Sequence, residues 1–223
     1  MPIYKTKNEN FFKEWTVGMA YVLGFFAADG CMIKNNRGAH FIEFQITDKD
    51  ILLKIKKLLG SNHKITERKN NIKWKMAYRL QIGSKKMFED LIALGMTSRK
   101  SNTLKLPIIP KKYFNHFVRG YFDGDGNVSI PNYIRADRKN KLSITLLAGF
   151  TSGSKEFLIE LHSKLKTLAG IVGGTLCYHD GAFRLFFSVR DSVKLYEFMY
   201  AREDELFLLR KKKVFEKYLK LDW

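Results

Sequence analysis

The strongest constraint on the fold is an eleven-residue stretch that occurs twice. Residues 20–30 read AYVLGFFAADG, and residues 116–126 read HFVRGYFDGDG. Small residues recur four positions apart in each stretch, at Ala20, Gly24 and Ala28 in the first and at Gly120 and Gly124 in the second. Residues four apart lie on one face of a helix, and small residues on that face let two backbones approach closely. The repeat therefore predicts two motif helices that pack together in parallel, each ending at an Asp-Gly pair.

The acid at each predicted helix end is the sharpest functional signal in the sequence. Asp29 and Asp125 precede glycines that are typical just past a helix C-terminus. A carboxylate there faces the negative end of the helix dipole and the free carbonyls of the last turn. Two such carboxylates side by side raise the pKa of at least one of them. A divalent cation with oxygen ligands, such as Mg²⁺, would remove the conflict.

These stretches resemble the two motif copies of the LAGLIDADG homing endonucleases. Residues 23–30, LGFFAADG, and residues 119–126, RGYFDGDG, carry the resemblance, which extends over nearly the whole chain. One departure is Ala27, where the second copy has Asp123. The family's metal-binding acid is the last one before the closing glycine, so the resemblance assigns that role to Asp29 and Asp125.

The resemblance also implies an activity. We expect a site-specific, Mg²⁺-dependent endonuclease that cuts a long double-stranded DNA target to short 3′ overhangs, with Mn²⁺ substituting and Ca²⁺ binding without cleavage. The alternative is an intron maturase, or a sequence-specific nucleic-acid-binding protein, on the same fold without cleavage. No splicing segment flanks the motifs, so an intron-encoded enzyme is expected rather than an intein.

Further site residues follow from the same resemblance. The backbone carbonyls of Ala28 and Gly124 match additional metal ligands of the family. Lys100 resembles its active-site lysine, and Lys211 is the counterpart in the second half, with the adjacent Lys212 left open.

In the first half, Asp48 is expected to add a water contact, with the nearby Gln45 as the alternative. The matching positions 152–154 in the second half contain no acid, so the two strands are expected to be cut at unequal rates.

The order of predicted elements repeats with the motif. Each half reads α-β-β-α-β-β-α, and the two motif acids lie 96 positions apart. Hydrophobic alternation and capping signals predict helices over 48–59 and 155–168, capped by Asp48 and Ser154, and a strand over 142–150 after a polar loop 131–141. We predict an α+β fold, a pseudo-symmetric monomer with halves 1–110 and 111–223. By resemblance, its two antiparallel sheets form a DNA-binding saddle around the motif helices.

Charge supports a nucleic-acid partner. Lys and Arg number 40 against 22 Asp and Glu, which gives a net charge of +18. A protein this basic most often binds a polyanion, although a solvated basic surface or an acidic protein partner remains the alternative. Double-stranded DNA is the expected partner, with no obligate protein partner and no membrane.

The DNA-binding candidates are polar side chains on the predicted strand faces opposite the apolar ones, together with polar residues in adjoining loops. Arginine and glutamine on such a face can read base edges, and loop cations can hold phosphates. The candidates are Lys34, Arg37, His40, Glu43, Gln45, Thr47, Arg68, Arg79 and Gln81, and then Ser129, Arg135, Arg138, Lys139, Ser143, Thr145, His179 and Arg184.

The remaining features indicate an intracellular setting. Cys31 and Cys177 form no CxxC pair and predict packing residues in a reduced compartment. No targeting signal or membrane-length apolar run is seen. We expect the cytoplasm or nucleoid, or an organelle matrix if the gene is organellar.

Overall fold

A computed structural model describes residues 5–69, 75–98, 100–135, 141–201 and 206–221. The first half contains the elements α1 (Val17–Asp29), β1 (Gly30–Lys34), β2 (His40–Ile46), α2 (Lys49–Leu58), β3 (Ile65–Arg68), β4 (Ala77–Gly83) and α3 (Lys85–Ala93). A 3₁₀ turn at Lys100–Asn102 precedes the second half. That half contains α4 (Phe114–Asp125), β5 (Gly126–Ser129), β6 (Asn132–Arg135), β7 (Lys141–Ile144), β8 (Leu147–Ser152), α5 (Lys155–Ala169), β9 (Thr175–His179), β10 (Ala182–Phe187), α6 (Val189–Tyr200) and α7 (Leu209–Leu219).

Of the ten strands in the described residues, β6 and β7 form a separate pair, and the other eight form two four-stranded antiparallel sheets of the same topology. Their orders are β1-β2-β4-β3 and β5-β8-β10-β9. Helices α2 and α3 pack on the first sheet, and α5 and α6 on the second. Buried residues such as Phe44 and Leu80, or Phe150 and Leu185, fill the space between helices and sheets. The predicted α+β class with two antiparallel sheets is confirmed. The division at residue 110 stays a prediction.

The motif helices α1 and α4 are the centre of the molecule. A Cβ added at Gly24 would lie 2.1 Å from the carbonyl oxygen of Phe117, and one at Gly120 would lie 2.0 Å from that of Tyr21. A Cβ added at Gly124 would lie 2.4 Å from the Cβ of Ala28. The contacts advance along both helices in the same direction, so the helices run parallel. Backbone contact at this distance requires glycine, as the repeat predicts.

Each motif helix ends at its acid, but the following glycine acts differently from the prediction. Gly30 and Gly126 have φ values of −83° and −82° and continue as extended strands, not as left-handed caps. Glycine is required there by space. A Cβ at Gly30 would lie 2.5 Å from the carbonyl oxygen of Phe26, and one at Gly126 would lie 2.3 Å from that of Phe122. The helices therefore turn directly into β1 and β5.

The predicted strand 142–150 is wrong. The backbone pairs with β6 as far as Ile144 and joins the second sheet only from Leu147. The amide of Thr145 donates to the carbonyl oxygen of Pro131, which closes a separate hairpin. The segment predicted as a polar loop therefore contains β6, and residues 136–140 lie outside the described part.

None of the helices within the described residues is long and apolar enough to cross a membrane.

Candidate active site at the motif helix ends

Asp29 and Asp125 occupy the adjoining C-terminal ends of α1 and α4. The carboxylate of Asp29 lies beside the second helix, since a Cβ at Gly124 would be 3.2 Å from its Oδ2. Burial and, next in size, the charge of Asp125 together raise the pKa of Asp29 to about 7. Burial also raises the pKa of Asp125. No side-chain hydrogen bond from the described residues offsets this burial at either acid.

Lys211 reaches the end of the second motif helix. Its Nζ lies 2.7 Å, 2.8 Å, 3.1 Å and 2.7 Å from the carbonyl oxygens of Phe122, Asp123, Gly124 and Gly126. An ammonium is the stabilising charge at a helix C-terminus. The side chain is nevertheless buried, and that burial lowers the pKa of Lys211 to about 8.

Lys100 lies at the end of the first motif helix in the equivalent way. Its Nζ donates to the carbonyl oxygen of Ala28 at 3.3 Å, and burial lowers its pKa while the charges of Asp125 and Asp29 raise it. The adjacent candidate Lys212 points elsewhere, with its Nζ 4.6 Å from the ring centroid of Phe207 and 3.6 Å from Glu216. The structure therefore places Lys211, and not Lys212, at the site.

The donor set at these helix ends fits a hard cation. Asp29 and Asp125 supply two half-buried carboxylates, and the carbonyl oxygens of Ala28 and Gly124 each keep a lone pair beside the lysine bond. Within the described ranges, no cluster of three His, Cys, Asp or Glu side chains forms a closed metal site. Mg²⁺ is commonly held by one or two carboxylates with water completing its coordination, so two acids suffice.

The raised pKa of Asp29 predicts how stability depends on pH. Its folded-state pKa of about 7 exceeds the ordinary 3.8, so the folded protein binds more protons between these values and loses stability as pH rises through them. Asn does not ionise. We expect Asp29→Asn to raise the free energy of unfolding of the metal-free protein by ~1–3 kcal/mol at pH 8, and by little at pH 4.

Urea unfolding in EDTA at both pH values measures this difference. Glu67→Gln, at an exposed position of β3, is the control and should show no such pH-dependent gain. An equal effect of Asp29→Asn on the free energy of unfolding at pH 4 and pH 8 would contradict a raised pKa of Asp29.

Asp48 contacts the site indirectly. It occupies the predicted N-cap position of α2, although its side chain makes no capping hydrogen bond. Its Oδ2 instead accepts from Nε of Arg210 at 2.9 Å, which links the two halves. The charge of Arg210 lowers the pKa of Asp29. At the matching position, Ser154 accepts the predicted capping bond from the amide of Phe157.

Sequence reasoning missed a buried polar cluster behind the site. Tyr21 donates to Oδ2 of the fully buried Asp123 at 2.6 Å, and the amide of Leu208 donates to the same oxygen at 2.9 Å. The available signal was the departure at position 27. The first motif has Tyr21 and Ala27, whereas the equivalent positions of the second have Phe117 and Asp123. Tyr21 belongs to the first motif and Asp123 to the second, so their hydrogen bond joins the two motif helices.

Several predicted DNA-binding residues share the outer face of the first sheet. Gln45 lies opposite Arg79, and Glu43 opposite Gln81, in the β2–β4 register. Glu43 is mostly buried and accepts hydrogen bonds from Gln81 at 3.0 Å and Arg79 at 3.4 Å. Arg68 lies on the same face at the sheet edge. These side chains form one connected polar surface.

Other candidates of the first half lie away from this surface. The ring of His40 packs edge-on against Phe88 of α3, 4.7 Å between centroids, on the core side of the sheet. Lys34 is exposed opposite His40 at the strand end, Arg37 lies in the β1–β2 turn, and Thr47 is exposed after β2.

The second sheet has a comparable outer face. Arg184 lies opposite Cys177 in the register and donates to Asp180 at 3.3 Å. His179 contacts the same carboxylate at 2.6 Å, and Ser129 is exposed at the end of β5. Both cysteines are exposed, so their interpretation as packing residues is wrong.

The remaining candidates of this half belong to the excursion before β8. Ser143 lies in β7 and Thr145 follows it, in the separate hairpin and not in the four-stranded sheet. Arg135 ends β6. Arg138 and Lys139 lie outside the described residues.

Comparison with known proteins gives a family match and a curated relative. Residues 16–94 match the family described as LAGLIDADG-like domain. DNA-directed RNA polymerase subunit Rpo1C of Methanocaldococcus jannaschii is 32% identical over 145 residues, which are 62% of this chain and 14% of that subunit. The chain thus matches only a small part of this relative's length.

Solved structures show the same fold over most of the chain. The meganuclease I-SmaMI bound to uncleaveable DNA has a TM-score of 0.61 at 13% identity, covering 90% of this chain and 88% of that one. The LAGLIDADG meganuclease I-AabMI bound to uncleaved DNA has a TM-score of 0.61 at 15% identity, with 89% and 88% covered. The homing endonuclease I-WcaI bound to its DNA recognition sequence has a TM-score of 0.57 at 17% identity, with 93% and 91% covered.

Proposed function

We propose, from the chain's membership of the LAGLIDADG family, that it is a site-specific double-strand DNA endonuclease whose divalent metal is held by Asp29 and Asp125. One observation carries the proposal. Two carboxylates with raised pKa values lie together at the ends of parallel, closely packed helices, each end capped by a buried lysine. Burying like charges in this way is unfavourable for folding, and carboxylates with raised pKa values are typical of functional sites.

The chain's own residues would perform separate parts of the hydrolysis. Asp29 and Asp125, with the carbonyls of Ala28 and Gly124, would hold Mg²⁺, which supplies Lewis-acid activation of water and stabilisation of the leaving oxygen. Lys100 and Lys211 place positive charge beside the acids, where charge develops on the phosphate in the transition state. Their lowered pKa values also bring proton transfer closer to neutral pH.

The two outer sheet faces would bind the duplex on either side of this centre. Arg79, Gln81 and Arg184 are suited to read base edges in the major groove, while surplus lysines and arginines contact phosphates. The similar meganucleases were solved on DNA, which supports the same partner here. Since one chain supplies both motif helices, we infer that it acts as a monomer without an obligate protein partner.

Selection from a randomised duplex library tests the proposal. We expect the protein with Mg²⁺ or Mn²⁺ to enrich one long target, cut to short 3′ overhangs. With Ca²⁺ the protein should bind that target without cutting it, and EDTA should abolish cleavage. Affinity should fall steeply with salt because phosphate contacts release counterions.

Two outcomes would contradict it. Cleavage that continues in EDTA would show that the reaction does not need a divalent metal. Specific binding with no cutting in Mg²⁺ or Mn²⁺ would instead favour the non-cleaving, maturase-like alternative.

A further inference from the structure

We propose that Asp123 is a positioning residue that fixes Lys211 at the site, and that the first half lacks this device. The inference concerns how one lysine is held. Its catalytic consequence rests on the proposed nuclease function, whereas the positioning itself does not.

Asp123 joins three separate segments of the chain. Its side chain is fully buried, and its Oδ2 accepts both from the hydroxyl of Tyr21, on the other motif helix, and from the backbone amide of Leu208. Leu208 is the N-cap residue of α7 and has no side-chain capping group. A buried carboxylate that accepts from a backbone amide fixes the position of that amide strongly. Asp123 thereby sets where α7 begins.

Lys211 follows Leu208 by one helical turn. The amide of Lys211 donates to the carbonyl oxygen of Leu208 at 3.1 Å, so the two residues move together. The same turn directs the ammonium of Lys211 back onto the end of α4, within 3.1 Å of four carbonyl oxygens. Asp123 belongs to that helix end. Helix α4 thus carries both the C-terminal carbonyls that Lys211 caps and the carboxylate that positions Lys211.

A second residue of α4 supports the same segment. Arg119, one turn before Asp123, is buried and donates from Nε to the carbonyl oxygen of Leu206 at 2.8 Å and from Nη1 to that of Met199 at 2.7 Å. Its guanidinium also lies 5.6 Å from the ring centroid of Tyr21. The approach to α7 is therefore tied to α4 at two successive points.

The pair of positions equivalent to Asp123 and Tyr21, on the Lys100 side of the site, has no polar side chain. Ala27 stands where the second motif has Asp123, and Phe117 stands where the first has Tyr21; both are buried. Their side chains cannot donate or accept a hydrogen bond. Among the described residues, the ammonium of Lys100 donates to one carbonyl oxygen, that of Ala28 at 3.3 Å, whereas that of Lys211 lies closer to four. We therefore expect Lys211 to be held before DNA binds and Lys100 to be held less tightly.

Chemical labelling of the two lysines tests the positioning without any cleavage. The side chains are similarly buried, at 8% exposure for Lys100 and 6% for Lys211, so each is the internal control for the other. We expect Asp123→Ala to raise the rate at which an N-hydroxysuccinimide acetate labels Lys211 by about ten-fold and to leave Lys100 unchanged. Asp123→Asn keeps an oxygen for both donors but removes the negative charge that raises the pKa of Lys211, so it measures the charge effect alone. Labelling of Lys211 should be faster in Asp123→Ala than in Asp123→Asn, and equal rates in the two variants would contradict positioning.

Two other labelling results would overturn the proposal. Unchanged labelling of Lys211 in Asp123→Ala would show that Asp123 does not hold it. An equal rise at Lys100 and Lys211 would show a general loosening of the fold in place of a specific effect.

Strand-resolved nicking tests the catalytic consequence. We expect Asp123→Ala to slow cleavage of one DNA strand by about ten-fold, the same strand whose cleavage Lys211→Met slows. Cleavage of the other strand, which depends on Lys100, should stay near the wild-type rate. In the Lys211→Met background, Asp123→Ala should cause no further slowing. Equal slowing of both strands would refute a positioning role. If the wild type cuts no DNA while labelling behaves as expected, the proposed function fails and the positioning of Lys211 stands.

Discussion

Asp29→Asn and Asp125→Asn should each reduce double-strand cleavage by about 10³-fold or more, while specific DNA binding remains within a few-fold of wild type. Asn matches the shape of the acid but removes one negative charge and a strong metal ligand. Metal-ion stabilisation of the transition state is worth several kcal/mol, and ~4 kcal/mol corresponds to three orders of magnitude in rate. Binding should persist because the residues that we propose to face DNA are elsewhere, on the sheets.

The measurement is single-turnover cleavage of a strand-labelled target in Mg²⁺, with affinity measured separately in Ca²⁺. Asp50→Asn is the matched control, because it removes one acid from an exposed position in the first turn of α2. It should cleave at the wild-type rate. Wild-type cleavage by Asp29→Asn or Asp125→Asn would refute the metal assignment. Loss of DNA binding in either variant would indicate a structural defect.

Sequence alone predicted the centre of the molecule because that region obeys periodic rules. Small residues four apart in two copies predict one close helix crossing, and Gly24 and Gly120 meet there. The two acids could be predicted as site residues because each directly precedes the glycine at the end of its motif helix. The choice between Lys211 and Lys212 could not be settled from sequence, since α7 begins at Leu209 after an N-cap residue, Leu208, whose side chain makes no capping hydrogen bond. Its start depends on Asp123, which is distant in sequence.

The errors share a physical cause. Alternation over residues 142–150 predicts one strand, but alternation does not record which partner each segment pairs with. Here β7 pairs with β6, and β8 pairs with β5 and β10. Likewise, a small residue such as Cys31 or Cys177 is compatible with either face of a sheet. Asp48 satisfies a capping pattern locally, yet Arg210 of the other half binds it. Tertiary contacts decided each case.

Gly24→Ala and Gly120→Ala should be among the most destabilising substitutions in the chain. Each new Cβ would lie within 2.1 Å of a backbone carbonyl oxygen on the facing helix, and backbone cannot rotate away as a flexible side chain can. The helices must separate, which opens the packing between them. Overpacking of this kind costs ~1–3 kcal/mol or more, and it exceeds the ~1 kcal/mol that alanine gains over glycine in a helix. We expect the free energy of unfolding to fall by ~2 kcal/mol or more.

Gly18→Ala separates this steric effect from helix propensity. Gly18 lies in the same helix as Gly24, and the nearest atoms to its new Cβ belong to the flexible side chain of Leu58, at 3.3 Å. Urea unfolding in EDTA should therefore show a neutral or slightly stabilising change for Gly18→Ala, with a clear loss for Gly24→Ala. Equal stability of the two variants would contradict the close crossing. Where Gly120→Ala still folds, cleavage should fall while salt-dependent DNA binding persists, because separating α1 from α4 moves Asp29 away from Asp125 and leaves the sheet faces intact.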